Sequence, residues 1–150
     1  MKRQEIIQEL RKYFKIQELV CPHTLKSWTD KSWMFIDTEI LHTLLVLRCE
    51  ILKVPLVCNT KTLTQRGLRC NLCEINKDKT ERDVLSLSAH SNGKGFDLSS
   101  PDMSAEQMRK KIMQHADLLP YPVRIEEDVN WLHIDCYDMG NPYKITFFKG

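Results

Sequence analysis

Two stretches decide the fold of this chain: Ser88–Asp97, which reads SAHSNGKGFD, and Trp131–Cys136, which reads WLHIDC. In the second stretch apolar and polar residues alternate, as in a β-strand with one face in the core. The polar face of that strand carries His133, flanked by an indole and by Asp135. Burying such groups is costly unless they have a use. The second stretch therefore predicts a strand with a functional histidine.

The first stretch places His90 and Asp97 seven positions apart, with Gly93 and Gly95 between them. On two strands joined by a tight turn, these two side chains can converge, and the glycines supply the turn geometry. Imidazole and carboxylate groups are both normal zinc ligands. With His133 as a third ligand, the fourth position of a zinc ion stays open, as catalytic zinc sites require.

Working outward, apolar spacing predicts three helices, and Asp37 or Thr38 can cap the second while Ser104 caps the third. These helices are expected at 3–14, at about 38–53 and at 104–116. Alternating or continuous apolar runs predict strands at 56–58, 85–90, 95–98, 123–126, 131–137 and 144–148. A turn at Met139–Pro142 is expected to join the last two strands. The polar and basic residues 60–84 predict a long irregular connection.

Helices lead and strands dominate the second half, which predicts an α+β fold with a small mixed or antiparallel sheet. At 150 residues the chain is expected to form a single domain over 1–150. Its net charge of +2, from 22 basic and 20 acidic residues, gives no support for a nucleic-acid partner. No apolar run approaches the roughly 20 residues that span a bilayer. No apolar signal-peptide core follows the first residues.

The spacing Ser-x-His-x-x-Gly-x-x-x-Asp, followed by Trp-x-His-x-Asp, resembles the signature of the M15 metallopeptidases. That family includes D-alanyl-D-alanine carboxypeptidases and phage L-alanyl-D-glutamate endolysins, and it shares its fold with the Hedgehog signalling domain. Arg66 and Asn71 fit an Arg and an Asn that precede the family's first motif, and Phe14–Leu19 resembles its opening segment. The resemblance spans about residues 10–137.

The resemblance implies a Hedgehog/D,D-peptidase-like fold and a zinc ion, Zn²⁺, held by His90, Asp97 and His133. It further implies a metallopeptidase, a hydrolase in which zinc-activated water attacks a carbonyl of a peptidoglycan stem peptide. Arg66 would stabilise the developing oxyanion or bind a substrate carboxylate, and Arg69 could do the same. Such a chain is expected to be made in the cytoplasm. It would act at the bacterial cell wall if exported or released, for example from a bacteriophage or prophage.

One position departs from the family. Many members carry an acidic general base three residues before the last zinc ligand, and that position is Asn130 here. Glu127 is the preferred replacement, because its distance from His133 resembles that of a Glu in the Hedgehog domain and strand parity favours it. Asp128 is the second candidate. The alternative is a catalytically impaired binding protein that keeps the fold and possibly the zinc.

The six cysteines are expected to be free thiols, since no signal peptide is evident. Cys70 and Cys73 form one CxxC motif, which is half of a structural zinc module that Cys21 or His23 would have to complete. The spacing of Cys21-Pro22-His23 is unfavourable for the second half. We therefore expect Cys70 and Cys73 to be dispensable for hydrolysis.

Overall fold

The computed structural model describes residues 1–150 and has the expected α+β class, with five α-helices and a four-stranded mixed sheet. The helices are α1 (Arg3–Leu10), α2 (Pro22–Trp28), α3 (Thr38–Val46), α4 (Glu74–Glu81) and α5 (Ala105–Gln114). The strands are β1 (Gly95–Leu98), β2 (Val123–Glu126), β3 (Leu132–Asp135) and β4 (Ile145–Phe148). No helix has both the length and the apolar character needed to cross a bilayer.

Both predicted helix caps are confirmed. The Asp37 carboxylate accepts a hydrogen bond from the backbone N–H of Glu39 at the start of α3. At α5, Ser104 and Gln107 cap each other reciprocally, which satisfies two backbone donors that the first turn leaves free. α3 continues as one π-helical turn over Leu47–Ile51, so helical structure covers most of the predicted 38–53 segment.

The sheet has the strand order β1-β3-β2-β4. β3 pairs antiparallel with β1 and with β2, whereas β4 pairs parallel with β2. The segment with Met139–Pro142 therefore joins two strands that are not neighbours in the sheet. β3 already has a partner on each edge, so the last strand can add only at the outer edge of β1 or of β2, and it adds at β2.

The two faces of the sheet have different roles. One face is apolar and packs on α5, through Ile125 and Ile134 on the sheet and Met108 and Ile112 on the helix. This face belongs to a continuous core of 29 buried residues that also takes in α1 and α3. The opposite face is polar. The register brings Asp97 beside His133, and Arg124 beside Asp135.

Three predictions on local structure are wrong. Residues 85–90 form no strand, because Leu85 and Leu87 are 77% and 64% exposed and no neighbouring strand pairs with them. Segment 56–58 contributes only a single bridge, between Val57 and Ser99. The supposedly irregular connection contains α4, whose single buried residue is Asn76, so it has no apolar periodicity to reveal it.

Candidate metal centre

The three predicted zinc ligands come together on the polar face of the sheet. His133 Nδ1 lies 2.8 Å from Asp97 Oδ1, and His90 Nε2 lies 3.2 Å from Asp97 Oδ2. The three ligand atoms lie within 4.8 Å of one another. Asp97 and His133 are paired residues of β1 and β3, whereas His90 reaches the site from the turn before β1. The predicted convergence is therefore observed, although His90 does not lie on a strand.

The second nitrogen of each imidazole is held by another group. His90 Nδ1 lies 3.0 Å from the carbonyl oxygen of Gly67, and His133 Nε2 lies 2.8 Å from Asp135 Oδ2. If these outer nitrogens donate, His90 Nε2 and His133 Nδ1 keep their lone pairs for a metal. Metal-binding histidines almost always have such a partner, which fixes the tautomer and the ring orientation. The donor set and its supports therefore fit a zinc ion.

Asp135 is itself fixed by charge. It is completely buried, and Arg124 donates to both of its oxygens at 2.9 Å. The guanidinium of Arg124 also lies over the rings of Tyr137 and Phe148. The sequence argument noticed Asp135 only as a neighbour of His133. The Arg124 interaction depends on the β2–β3 register, and sequence spacing alone does not give that register.

The buried charges perturb one another strongly. Burial disfavours the charged imidazole of His133, but hydrogen bonds with Asp135 and Asp97 raise its pKa to about 9. Burial also opposes ionisation of Asp97, yet hydrogen bonds from His133 and His90 hold its pKa well below the usual range. In the metal-free protein at neutral pH, His133 is thus an imidazolium between two carboxylates. A divalent cation would replace its proton with positive charge at the same place.

A cleft of about 430 Å³ lies between α2 and the segment 68–72, and none of the three ligands His90, Asp97 and His133 lines it. Its lining includes Arg69 and Asn71, together with Ser91 and Asn92, which follow His90 directly. The Arg69 Nε is buried and has no hydrogen-bond partner. Burial lowers the pKa of Arg69, and the nearby charge of Asp97 acts in the opposite direction. The guanidinium of Arg69 makes no ion pair within the chain, so its charge at the wall of the cleft suits an anionic ligand.

The structure does not bring Glu127 or Asp128 to the metal centre. Glu127 lines a groove on the α5 side of the sheet, and Asp128 is exposed, with its carboxylate 3.3 Å from Lys149 Nζ. The chain turns between β2 and β3, so strand parity does not carry from His133 back to Glu127. Arg109 of α5 binds the carbonyl oxygens of Val129 and Trp131 and holds this turn on the helix side.

Glu126 lies on the correct face instead. One step beyond the paired residues Ile125 and Ile134, the same register places Glu126 opposite His133. Glu126 also pairs with Phe148 on β4, and the Phe148 ring packs edge-on against His133 at 5.6 Å. The side chain of Glu126 is half-buried and makes no hydrogen bond or ion pair within the chain. The sequence alone favours its neighbours Glu127 and Asp128 for the role of general base.

Two further predicted positions lie around the site rather than in it. The backbone carbonyl of Arg66 accepts a hydrogen bond from Asp97 N–H at 2.8 Å, but its side chain makes no hydrogen bond to the cluster. Asn130, at the family's usual position for the base, is exposed and lines a groove beside α5. Of the two arginines considered, Arg69 is therefore the one that lines the cleft.

No protein-family model, curated protein or solved structure matches the chain. Assignment of a function therefore depends on the geometry of the site and on the motif resemblance.

Proposed function

We propose that this chain is a zinc-dependent peptidase that cleaves the stem peptides of peptidoglycan and has a fold of the Hedgehog/D,D-peptidase type. The observation that carries the proposal is the convergence of His90, Asp97 and His133, with the outer nitrogen of each imidazole already engaged. The spacing of these residues in two motifs that resemble those of the M15 peptidases supports the same assignment.

The donor set favours a catalytic zinc over a structural one. Three protein ligands leave one coordination position for water or substrate, whereas structural zinc sites are closed by four. Zinc bound there would supply a Lewis acid that polarises a peptide carbonyl and activates water for attack. His90 and His133 are almost completely buried, and Asp97 is the most exposed of the three, with 18% of its side chain accessible. We infer that substrate approaches from the Asp97 side.

Glu126 is our candidate for the general base. It is the acidic side chain that the β2–β3 register puts on the face of His133 without committing it to another partner. Asp135 lies on the same face, but it is fully buried and already binds His133 and Arg124, so it positions the ligand and does not accept a proton from water. A carboxylate that takes a proton in the transition state contributes roughly 10²–10⁴-fold in rate.

Arg69 is our candidate for substrate binding. Stem peptides of peptidoglycan present carboxylate groups, and a planar guanidinium binds a carboxylate through two parallel hydrogen bonds. The backbone N–H of Arg69 donates to the carbonyl of His90, which fixes the arginine relative to the metal centre. The charges of Arg69 and Asp97 are close enough to interact, so a carboxylate bound by Arg69 would lie on the Asp97 side of the His/Asp cluster.

The test is digestion of purified peptidoglycan of several peptide compositions by the zinc-loaded protein, followed by mass spectrometry. Release of free D-alanine identifies a carboxypeptidase, and new amino termini within the stem identify an endopeptidase. His133→Ala should abolish digestion, whereas His115→Ala, a matched change at an exposed histidine, should not. Equal digestion by the parent and by His133→Ala would refute the proposal.

A second candidate is a zinc-containing binding protein of the same fold. Two observations favour it. Asn130, an amide, stands where M15 peptidases commonly carry the acidic base, and the carboxylates hydrogen-bonded within the cluster, Asp97 and Asp135, are both engaged by histidines. Such a protein would bind stem peptides and zinc but release no product from any wall type. Binding without turnover in the digestion test would select it.

A further inference from the structure

A second group of metal-binding side chains lies between α2 and α4, outside the centre described above. We propose that it holds a structural zinc ion. Its four ligands are Cys21, His23, Cys70 and Cys73, whose donor atoms lie within 4.8 Å of one another. From sequence alone this site is disfavoured, because the spacing of Cys21-Pro22-His23 does not match half of a zinc finger. This proposal is independent of whether the cluster of His90, Asp97 and His133 acts as a peptidase.

The distances match a tetrahedral site. Cys70 Sγ lies 4.0 Å from Cys73 Sγ, and Cys73 Sγ lies 3.7 Å from His23 Nδ1. With Zn–S near 2.3 Å and Zn–N near 2.0 Å, tetrahedral zinc separates its ligand atoms by about 3.5–3.8 Å. A disulfide would need a sulfur separation of about 2.05 Å. The spacing thus fits a shared metal ion, and the four protein ligands close the site as structural zinc requires.

The backbone presents the four ligands from two segments that are joined by pairing. Val20 and Leu68 form a parallel bridge, and Cys21 N–H donates to the Leu68 carbonyl at 3.0 Å. The Cys70–Cys73 segment is a tight turn in which Leu72 N–H donates to Cys70 Sγ at 3.3 Å. Hydrogen bonds from backbone N–H groups to sulfur stabilise thiolate ligands, because they offset the negative charge.

The surroundings of the cluster indicate why a metal is needed. Residues 60–84 are mostly polar, and α4 contributes only Asn76 to the buried interior. Such a segment buries too little apolar surface to be held by packing alone. Metal binding supplies folding free energy directly where a small core cannot. Zinc would tie the start of α4 to the well-packed segment that ends at Cys21.

The same segment reaches the first metal centre. Gly67 provides the carbonyl that engages His90 Nδ1, and Arg69 donates its backbone N–H to the His90 carbonyl. The side chain of Asn76 links the Cys70 carbonyl to the hydroxyl of Ser91. The structural zinc would therefore fix the backbone on which the orientation of His90 depends.

Metal stoichiometry and cobalt spectroscopy test the proposal on the full chain. We expect two equivalents of Zn²⁺ per parent chain, and a sulfur-to-cobalt charge-transfer band after Co²⁺ substitution. Cys73→Ser should lose one equivalent and most of that band, whereas His133→Ala should lose the other equivalent and keep the band. Cys49→Ser, a matched change at an exposed cysteine outside the cluster, should change neither. One equivalent in the parent, with no sulfur band, would overturn the proposal.

A second measurement uses the unmutated protein and does not depend on the folding of Cys73→Ser. It compares how fast the cysteine thiols react with and without a chelator. With Zn²⁺ present, Cys21, Cys70 and Cys73 should react slowly with iodoacetamide, and a chelator should accelerate all three together. Cys49 serves as the internal control and should react at the same rate in both conditions. Chelator-independent rates at the three ligand cysteines, or a Cys70–Cys73 disulfide in the purified protein, would refute the structural zinc.

Discussion

Replacement of Asp135 by Asn tests the support of the metal centre most directly. The substitution keeps the size of the side chain but removes its charge and one of two acceptor oxygens. Asp135 now accepts hydrogen bonds from His133 Nε2, from two nitrogens of Arg124 and from the Tyr137 backbone N–H. One amide oxygen cannot serve all of them, and the amide NH₂ would face a donor.

The least costly rearrangement turns His133 into the wrong tautomer. Its Nε2 would accept from the new amide, and the proton would move to Nδ1, the atom that faces Asp97. We expect zinc affinity at this centre to fall by about 10–100-fold, the usual effect of losing the partner of a metal-binding histidine. That loss corresponds to about 1.4–2.7 kcal/mol. Stability should fall by a further 1.5–3 kcal/mol or so, because the hydrogen bonds to Arg124 are charge-assisted.

Zinc competition against a chromophoric chelator measures the affinity, and nitrogen NMR of the His133 ring reports the tautomer. The titration starts from protein whose Cys/His cluster is already loaded with Zn²⁺, so that only the His/Asp centre binds the added metal. Asp30→Asn is the matched control, because Asp30 also pairs with an arginine but is exposed and lies outside both clusters. Parental zinc affinity in a folded Asp135→Asn protein would show that this carboxylate does not position His133.

Three further predictions follow from the same structure. Glu126→Gln should keep fold and zinc but lose about 10²–10⁴-fold in turnover, while Glu127→Gln stays near the parental rate; the reverse pattern would remove Glu126 as the base. The metal-free protein should lose stability in urea as pH rises from about 6.5, where unfolded histidine titrates, towards 9, since the pKa of His133 is raised in the folded state. Constant stability over that range would contradict the pairing of a charged His133 with Asp97 and Asp135. Gly140→Ala should lower the free energy of unfolding by about 1–2 kcal/mol, because φ at this position is positive. Gly93→Ala should lower it by about 1–3 kcal/mol more, because its Cβ would also collide with the carbonyl of Phe35.

The convergence of His90, Asp97 and His133 could be predicted from sequence, because such polar residues are unusual in buried strands and their spacing is local. His133 alternates with buried apolar residues, and Asp97 belongs to a strand whose register with β3 follows from the same alternation. The caps at Asp37 and Ser104 were accessible for a similar reason, since capping depends on residues two or three positions away. These parts of the fold depend on residues that are close to one another in sequence.

Neither the proposed general base nor the cluster of Cys21, His23, Cys70 and Cys73 could be predicted from sequence in this way. Glu126 and Glu127 differ only in which side of β2 they occupy, and that is decided by the turn that Arg109 holds from another element. Cys21 and Cys70 are brought together by the bridge between Val20 and Leu68, a long-range contact that no local periodicity marks. The helix α4 was missed because it buries a single polar residue and therefore has no amphipathic pattern.

The parallel pairing of β4 with β2 brings together parts of the cluster that leave the ribosome at different times. His90 and Asp97 leave the ribosome well before His133, and Phe148, whose ring packs against His133, follows later still. A nascent chain therefore carries two of the three ligands without the strand that aligns them. β4 pairs only with β2 and forms one edge of the sheet, so it reaches His133 across β2 rather than by pairing with β3. Phe148 thus closes one wall of the His/Asp cluster from the strand that comes last among the four in sequence, so the cluster needs residues from both ends of the 90–148 segment to be complete.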